Sequence, residues 1–172
     1  MKRGSGKNKG SGWERTVCTK LSLWVTNGQQ KDCFWRSAMS GGRATQRHRK
    51  GEQVKTQQGD ITAVDRAGHP LTDRFYIECK SYKDLSISSF ILTNTGILAN
   101  FWKNTQEEAS KYMKIPMLIA KQNYVKPIVI LPSPCYFVDL LYQAKLSPPQ
   151  SCTLALFDHL LMTRFYSMSR TK

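Results

Sequence analysis

Two stretches of the chain carry apolar residues with the period of a helix. In the first, apolar side chains recur every three or four positions, which predicts an amphipathic helix over residues 12–26. Its apolar residues are Trp13, Val17, Leu21 and Trp24. A second stripe predicts a helix over residues 95–113. The second stripe consists of Leu98, Phe101, Trp102, Ala109 and Met113, so we interpret Trp102 as a core residue rather than a base-stacking one.

Other stretches have the patterns of strands. Residues 60–65 and 74–81 alternate between apolar and polar, with a predicted turn at residues 67–70 between them. Two short runs are almost entirely apolar, which is typical of strands buried on both faces of a sheet. These runs are residues 116–121 and 127–131. A further short strand is predicted at residues 32–37. Residues 154–166 are predicted to form either a helix or a strand–helix pair.

The order of the predicted elements defines the fold class. One helix, three strands, a second helix and two strands, with no internal repeat, predict an α/β domain with a mixed central sheet flanked by helices. We divide the chain into a flexible basic arm (residues 1–11), a core (residues 12–131) that contains a basic loop (residues 40–59), and a C-terminal extension (residues 132–172) packing on the core.

The charge of the chain indicates the kind of partner. The chain has 172 residues and a formal net charge of +14, and 13 of its basic residues but only 3 acidic ones lie in residues 1–59. Such an imbalance favours a polyanion as partner, although a merely solubilising basic surface is the alternative. The basic residues of the loop are Arg43, Arg47, Arg49, Lys50 and Lys55.

Several classes of protein are disfavoured. The sequence has no apolar run of about 20 residues and no signal peptide, so we expect a cytoplasmic protein without a membrane segment. The five cysteines and three histidines are scattered, which argues against disulfides and structural zinc and favours reduced cysteines used as small apolar residues. No phosphate-binding loop of the GxxxxGK[ST] type is present, so no nucleotide cofactor is expected.

The candidate chemistry lies on the paired strands. Side chains alternate along a strand, so Glu78 and Lys80 share one face and Cys79 points to the other. If the strands at 60–65 and 74–81 form a hairpin, Asp60 lies near Glu78. Two carboxylates then offer the oxygen ligands that Mg²⁺ prefers, and Lys80 is placed to orient or deprotonate a water or to stabilise charge on a phosphate. The alternative is an exposed strand face with solvated charges.

Gly59-Asp60 followed by Glu78-Cys79-Lys80 resembles the motif of the PD-(D/E)XK nuclease superfamily, with Gly59 in the place of the proline. The resemblance implies a restriction-endonuclease-like fold and a metal site formed by Asp60 and Glu78, with Lys80 as a catalytic partner. The metal expected is Mg²⁺, for which Mn²⁺ substitutes.

The N-terminal half is similar to that of archaeal-type Holliday-junction resolvases. The similarity lies in residues 10–15 and 36–42 and implies that Glu14 joins the metal site, that Arg15 contacts a phosphate, and that Ser37 or Ser40 lies near the scissile backbone. Ser11 and Glu14 also fit a capping box at the start of the first helix, a purely structural role for Glu14. The added basic loop and the C-terminal extension are departures from the resolvase pattern, and they leave the junction substrate open.

Together these observations predict a metal-dependent DNA endonuclease, directed by DNA structure, that hydrolyses phosphodiester bonds and belongs to a virus or mobile element. Backbone contacts are assigned to Arg15, Arg36, Ser37, Ser40, Arg43, Arg47, Arg49, Lys50, Lys55 and Lys121, although Lys121 is equally consistent with a solvated strand end. The resolvase resemblance also implies a homodimer. The alternatives are a non-catalytic nucleic-acid-binding protein and a nuclease of the same fold that acts on other DNA or on RNA.

Overall fold

The computed structural model of the chain describes residues 5–37, 58–133, 143–146 and 152–163. The helices of this part are α1 (Ser5–Val25), α2 (His69–Thr72), α3 (Ile87–Thr93), α4 (Ile97–Lys111) and α5 (Phe157–Met162). The strands are β1 (Phe34–Arg36), β2 (Ile61–Ala63), β3 (Phe75–Tyr82), β4 (Ile115–Gln122), β5 (Ile128–Pro132), β6 (Gln143–Leu146) and β7 (Cys152–Leu156). No helix within these residues is long and apolar enough to cross a membrane.

The strands form a five-stranded sheet and a separate ribbon. The sheet has the order β3-β4-β5-β7-β6, in which β3 and β4 are parallel and the remaining pairs are antiparallel. β1 and β2 pair only with each other in the described part of the chain, as a short antiparallel ribbon. The mixed sheet that the element order predicts is therefore confirmed.

Helices cover both faces of the sheet. The apolar stripe of α1 packs on the face of β3 that carries Ile77 and Cys79, and α5 joins the same core through Phe157 and Leu160. On the other face, α3 and α4 bury Phe90, Leu98 and Trp102 against Leu118 and Ile130. Burial of these apolar side chains is the main force that holds the helices on the sheet. The α/β fold class is thus confirmed.

Helix α1 is longer than the sequence pattern indicates. It begins at Ser5 rather than near Gly12, so residues 5–11 of the stretch interpreted as a flexible arm are helical. This stretch is rich in Gly and Ser, which have low helix propensity, and nothing in its composition predicts the additional turns. Because the helix extends beyond Ser11 on the N-terminal side, Ser11 is not its N-cap, and the capping-box interpretation of Glu14 is wrong.

The predicted hairpin is also wrong in its pairing. β2 pairs with β1 and not with β3. The contact of residues 60–65 with β3 is made by the backbone N–H of Asp60, which donates to the carbonyl of Ile77, and not by a ladder of strand hydrogen bonds. The turn expected at residues 67–70 leads into α2. Near the C-terminus the strand–helix pair is confirmed as β7 and α5, whereas β6 and α3 were not predicted.

Candidate active site

Asp60 lies between the ribbon and the edge of the large sheet. Its backbone N–H donates to the carbonyl of Ile77 (2.8 Å), and its own carbonyl accepts from the N–H of Ser37 (2.8 Å). Gly59 makes this approach possible, because its φ is +83° and a Cβ there would lie 2.6 Å from the Ile77 oxygen. A proline, with φ fixed near −65°, cannot adopt this conformation, which explains why glycine precedes the aspartate.

The carboxylate of Asp60 is held against β3. Its Oδ2 accepts a hydrogen bond from the backbone N–H of Cys79 (2.9 Å), and the residue is 9% exposed. Burial, together with the negative charge of Glu78, raises the pKa of Asp60 from 3.8 to about 7, against the opposing effects of the Cys79 N–H and the Lys80 ammonium. Two acidic side chains are thus forced together in a partly dry environment.

Glu78 and Lys80 lie two residues apart on β3 and form an ion pair. Their shared face is the one turned away from α1, as the alternation of β3 predicts. Burial lowers the pKa of Lys80, but the charge and hydrogen bond of Glu78 outweigh it, so the pKa of Lys80 is raised. Lys80 is therefore a cation at neutral pH, which fits charge stabilisation and orientation of a water but not proton abstraction.

A cavity of about 150 Å³ opens beside this ion pair, between β3 and α4. It is lined by Tyr76, Glu78, Lys80, Phe101, Asn104, Thr105 and Glu108. The sequence pattern assigns no role to either Asn104 or Glu108. The signal that could have found them is their helical spacing from Phe101, which puts all three on the side of α4 facing β3.

Glu14 approaches the site from α1. Its Oε2 accepts a hydrogen bond from Nε of Arg36 on β1 (2.6 Å), and the side chains are 13% and 27% exposed. The charge of Glu14 contributes to raising the pKa of Asp60, although less than that of Glu78. The described residues nevertheless contain no group of three His, Cys, Asp or Glu side chains arranged to hold a metal ion.

The structure locates four of the predicted DNA contacts in different surroundings. Arg15 is exposed on α1, and Arg36 is paired with Glu14. Ser37 is buried, and its Oγ has no hydrogen-bond partner in the described part of the chain. Lys121, at the end of β4, is exposed, with Nζ 5.6 Å from the centre of the Trp13 ring. Ser40, Arg43, Arg47, Arg49, Lys50 and Lys55 lie outside the described residues.

The thiol groups of the cysteines are assigned no role in this site. Cys18, Cys33, Cys79 and Cys152 are buried free thiols, as expected for small apolar side chains, and Cys135 lies outside the described residues. Trp102 is buried in the core, which confirms its structural interpretation.

The acidic pair suits a hard divalent cation. Carboxylate oxygens are the ligands that Mg²⁺ prefers, usually one or two per ion, and Asp60 and Glu78 supply such oxygens from adjacent backbone segments. Burial, and after it the charge of Glu78, raises the pKa of Asp60, so the ionised carboxylate is disfavoured at this point. A bound dication would supply positive charge that favours the ionised form.

Comparison with known proteins gives one finding. A family profile described as "Phage putative PDDEXK endonuclease" matches residues 5–157, a span that contains Glu14, Asp60, Glu78 and Lys80. Neither the curated proteins nor the solved structures gave a match to this chain.

Proposed function

Because this chain belongs to a family of phage PD-(D/E)XK endonucleases, we propose that it is a Mg²⁺-dependent enzyme that hydrolyses DNA phosphodiester bonds at branched structures. The mixed sheet flanked by helices is the restriction-endonuclease-like fold of that superfamily. The membership makes the chain a nuclease; the metal, the DNA substrate and the preference for branches are the proposal.

The observation that carries the proposal is the convergence of Asp60, Glu78 and Lys80 at the edge of the sheet. Asp60 and Glu78 would hold the ion, with Glu14 as a further carboxylate on the α1 side. Mg²⁺ bound there supplies Lewis acidity at the scissile phosphate and lowers the pKa of a coordinated water. Lys80, which stays protonated, stabilises negative charge that develops on the phosphate and orients the attacking water.

The charge distribution supports DNA as the substrate. Residues 1–59, which lead up to Asp60, contain 13 basic and 3 acidic residues. In the proposal, Arg15, Arg36, Ser40, Lys121 and the basic residues from Arg43 to Lys55 contact the DNA backbone, whereas Ser37, which is 2% exposed, lies too deep for such a contact. Such contacts supply affinity without sequence information, which favours recognition of DNA shape. The resolvase resemblance supports junction resolution by a homodimer, and the phage family supports action in the host cytoplasm.

The test is cleavage of four-way junction, linear duplex and single-stranded DNA, and of RNA, in Mg²⁺, in Mn²⁺ and in EDTA. We expect metal-dependent cutting with a preference for the junction. Asp60→Asn and Lys80→Ala should lose cutting and retain DNA binding, measured by fluorescence anisotropy. The controls are Glu107→Gln, which removes one negative charge as Asp60→Asn does, and Lys103→Ala, which removes one positive charge as Lys80→Ala does. Both residues are exposed on α4 outside the site, and both variants should cut DNA normally. Absence of metal-dependent cutting of every substrate by the wild-type protein would contradict the proposal.

The same assay separates the finer parts of the proposal. Equal rates of cutting on the junction and on the linear duplex would contradict the preference for branched DNA. Cutting of RNA alone would show that the substrate is RNA and not DNA. Sedimentation of the protein alone and with the junction tests the homodimer.

A further inference from the structure

Trp35 is exposed in a way that the other tryptophans are not. All four tryptophans lie in the described part of the chain; Trp13, Trp24 and Trp102 are 6%, 6% and 2% exposed, whereas Trp35 is 64% exposed. Val64, on the adjacent strand segment, is exposed as well. An indole in water gives up a large amount of favourable burial, so this surface is a candidate contact for a partner, and its position and charge decide whether it is one.

The ribbon places Trp35 close to the catalytic aspartate. Trp35 is the register partner of Thr62, two residues after Asp60, which corresponds to about 7 Å of strand. Phe34 and Ile61 are buried in the core with α1, so strand alternation turns Trp35, Thr62 and Val64 away from α1. β3 also presents Glu78 and Lys80 away from α1.

The charge of the sequence that follows Trp35 indicates the kind of partner. Arg36 follows it directly, but its side chain pairs with Glu14 on the α1 side, so the next positive charge along the sequence belongs to residues 38–57, which contain five Lys and Arg residues and one Glu. A second copy of the chain would carry the same excess of basic residues and would be repelled, and the apolar area that the described residues expose on this ribbon is limited to two side chains. A polyanion with aromatic faces, that is, a nucleic acid, matches both the charge and the indole.

We propose that Trp35 stacks on an unpaired base of the DNA next to the scissile phosphate and thereby selects branched or single-stranded positions. The inference rests on the proposed function, and it deepens it by naming the feature of the substrate that is read. In a continuous duplex both faces of a base are already stacked, so an aromatic side chain gains a contact only where a base is unpaired or lies at a branch.

The first experiment uses the fluorescence of the tryptophans in the full-length Asp60→Asn protein, which is expected not to cut the DNA. Acrylamide, a neutral quencher, should act chiefly on Trp35, since the other three indoles are buried. We expect a junction with unpaired bases at its centre to protect this fluorescence from acrylamide, and a linear duplex to protect it less. In Asp60→Asn/Trp35→Phe the accessible fraction and its protection should both disappear. Unchanged quenching at a saturating concentration of junction would overturn the inference.

The second experiment measures affinity. Trp35→Ala should weaken binding to the junction and to single-stranded DNA about tenfold and to linear duplex much less, whereas Trp35→Phe should recover part of the loss. Leu92→Ser, which removes another exposed apolar side chain, on α3, is the control and should bind normally. An equal loss on all substrates would contradict base stacking.

The experiments also separate this inference from its alternative and from the proposed function. Protection that grows with protein concentration without DNA, and a dimer that Trp35→Ala dissociates in sedimentation, would assign the surface to a second copy of the chain. If the wild type cuts DNA but Trp35 is unprotected, only this inference fails. If Trp35 is protected but no cutting occurs, the contact stands and the proposed function fails.

Discussion

At the scale of single residues, the role proposed for Asp60 and the stability of the fold make opposite demands on its carboxylate. Its pKa in the folded protein is about 7, above the ordinary value of 3.8, so the folded state binds the proton more tightly than the unfolded state. The stability associated with this group is fully present below pH 3.8 and is lost as the pH rises through 7. Without metal, Asp60→Asn should therefore be more stable than the wild type, most clearly above pH 7. Urea denaturation in EDTA at several pH values measures this.

Asparagine keeps an oxygen that can accept from the Cys79 N–H, so the comparison isolates the charge. Glu107→Gln should leave the pH dependence unchanged. Mg²⁺ should raise the stability of the wild type above pH 7 and have much less effect on Asp60→Asn, a readout that does not depend on cleavage. A wild type that is as stable as Asp60→Asn at pH 8 in EDTA would show that the charge of Asp60 is already compensated.

Gly59 gives a second prediction at this scale. Gly59→Ala places a Cβ 2.6 Å from the Ile77 carbonyl at φ +83°, so it combines backbone strain with a clash, and we expect a loss of about 1–3 kcal/mol or more in the free energy of unfolding. Gly59→Pro should be worse, although it restores the proline of the family motif. Gly28 has φ +87° with open space around it, so Gly28→Ala measures the strain alone. Thermal unfolding of the variants makes the comparison, and equal losses at both positions would mean that the clash relaxes.

At the scale of elements, the ion pair between Glu14 and Arg36 joins α1 to β1. A partly buried pair of this kind contributes about 1 kcal/mol of coupling. A double-mutant cycle with Glu14→Gln and Arg36→Gln, measured by urea denaturation, should recover it. If Glu14 belongs to the metal site, Glu14→Gln should reduce cleavage far more than Arg36→Gln does. Equal effects of the two variants on cleavage would indicate that Glu14 only positions Arg36.

The elements with strong periodic patterns were predictable, and their partners were not. Helix α4 and strands β3, β4 and β5 lie close to their predicted bounds, since a stripe of apolar residues or a run of them reports directly on which side is buried. Alternation does not reveal which strand is the neighbour, so the segment after Asp60 was paired with β3 instead of β1. β6 has only four residues and little pattern.

The candidate site was predictable to the extent that it lies on those patterned elements. Glu78 and Lys80 share a face because β3 alternates, and Asp60 lies beside them because Gly59 allows a close approach to Ile77. Asn104 and Glu108 share a face of α4 with Phe101, but this spacing alone does not reveal that the face overlooks a cavity, and they were therefore missed. The link between Glu14 and Arg36 spans 22 positions and depends on how α1 packs.

At the scale of the whole molecule, the net charge of +14 makes a quantitative prediction about DNA binding. Each phosphate neutralised by Lys or Arg releases counterions, so the logarithm of the binding constant falls with the logarithm of the salt concentration by about 0.9 per contact on duplex DNA. Replacing Arg43, Arg47, Arg49, Lys50 and Lys55 together by Gln should therefore reduce this slope by about 4 to 5 if all five contact phosphates. Anisotropy titrations at several salt concentrations measure the slope.

The control variant replaces Lys103 and Lys126 by Gln, the same substitution as in the loop. Both residues are exposed, and no contact with DNA is assigned to them. The control variant should lower the affinity slightly through the long-range field and leave the slope nearly unchanged, because the slope counts local contacts whereas the field acts on every charge. If the five-residue variant keeps the wild-type slope, residues 43–55 serve only solubility, and the phosphate contacts belong to the basic residues of α1 and the strand ends. If the slope of the five-residue variant falls but the variant still cuts at saturating DNA, then the residues that bind DNA and those that cut it lie in separate parts of the chain. The concentration of basic residues before Asp60 predicts this result.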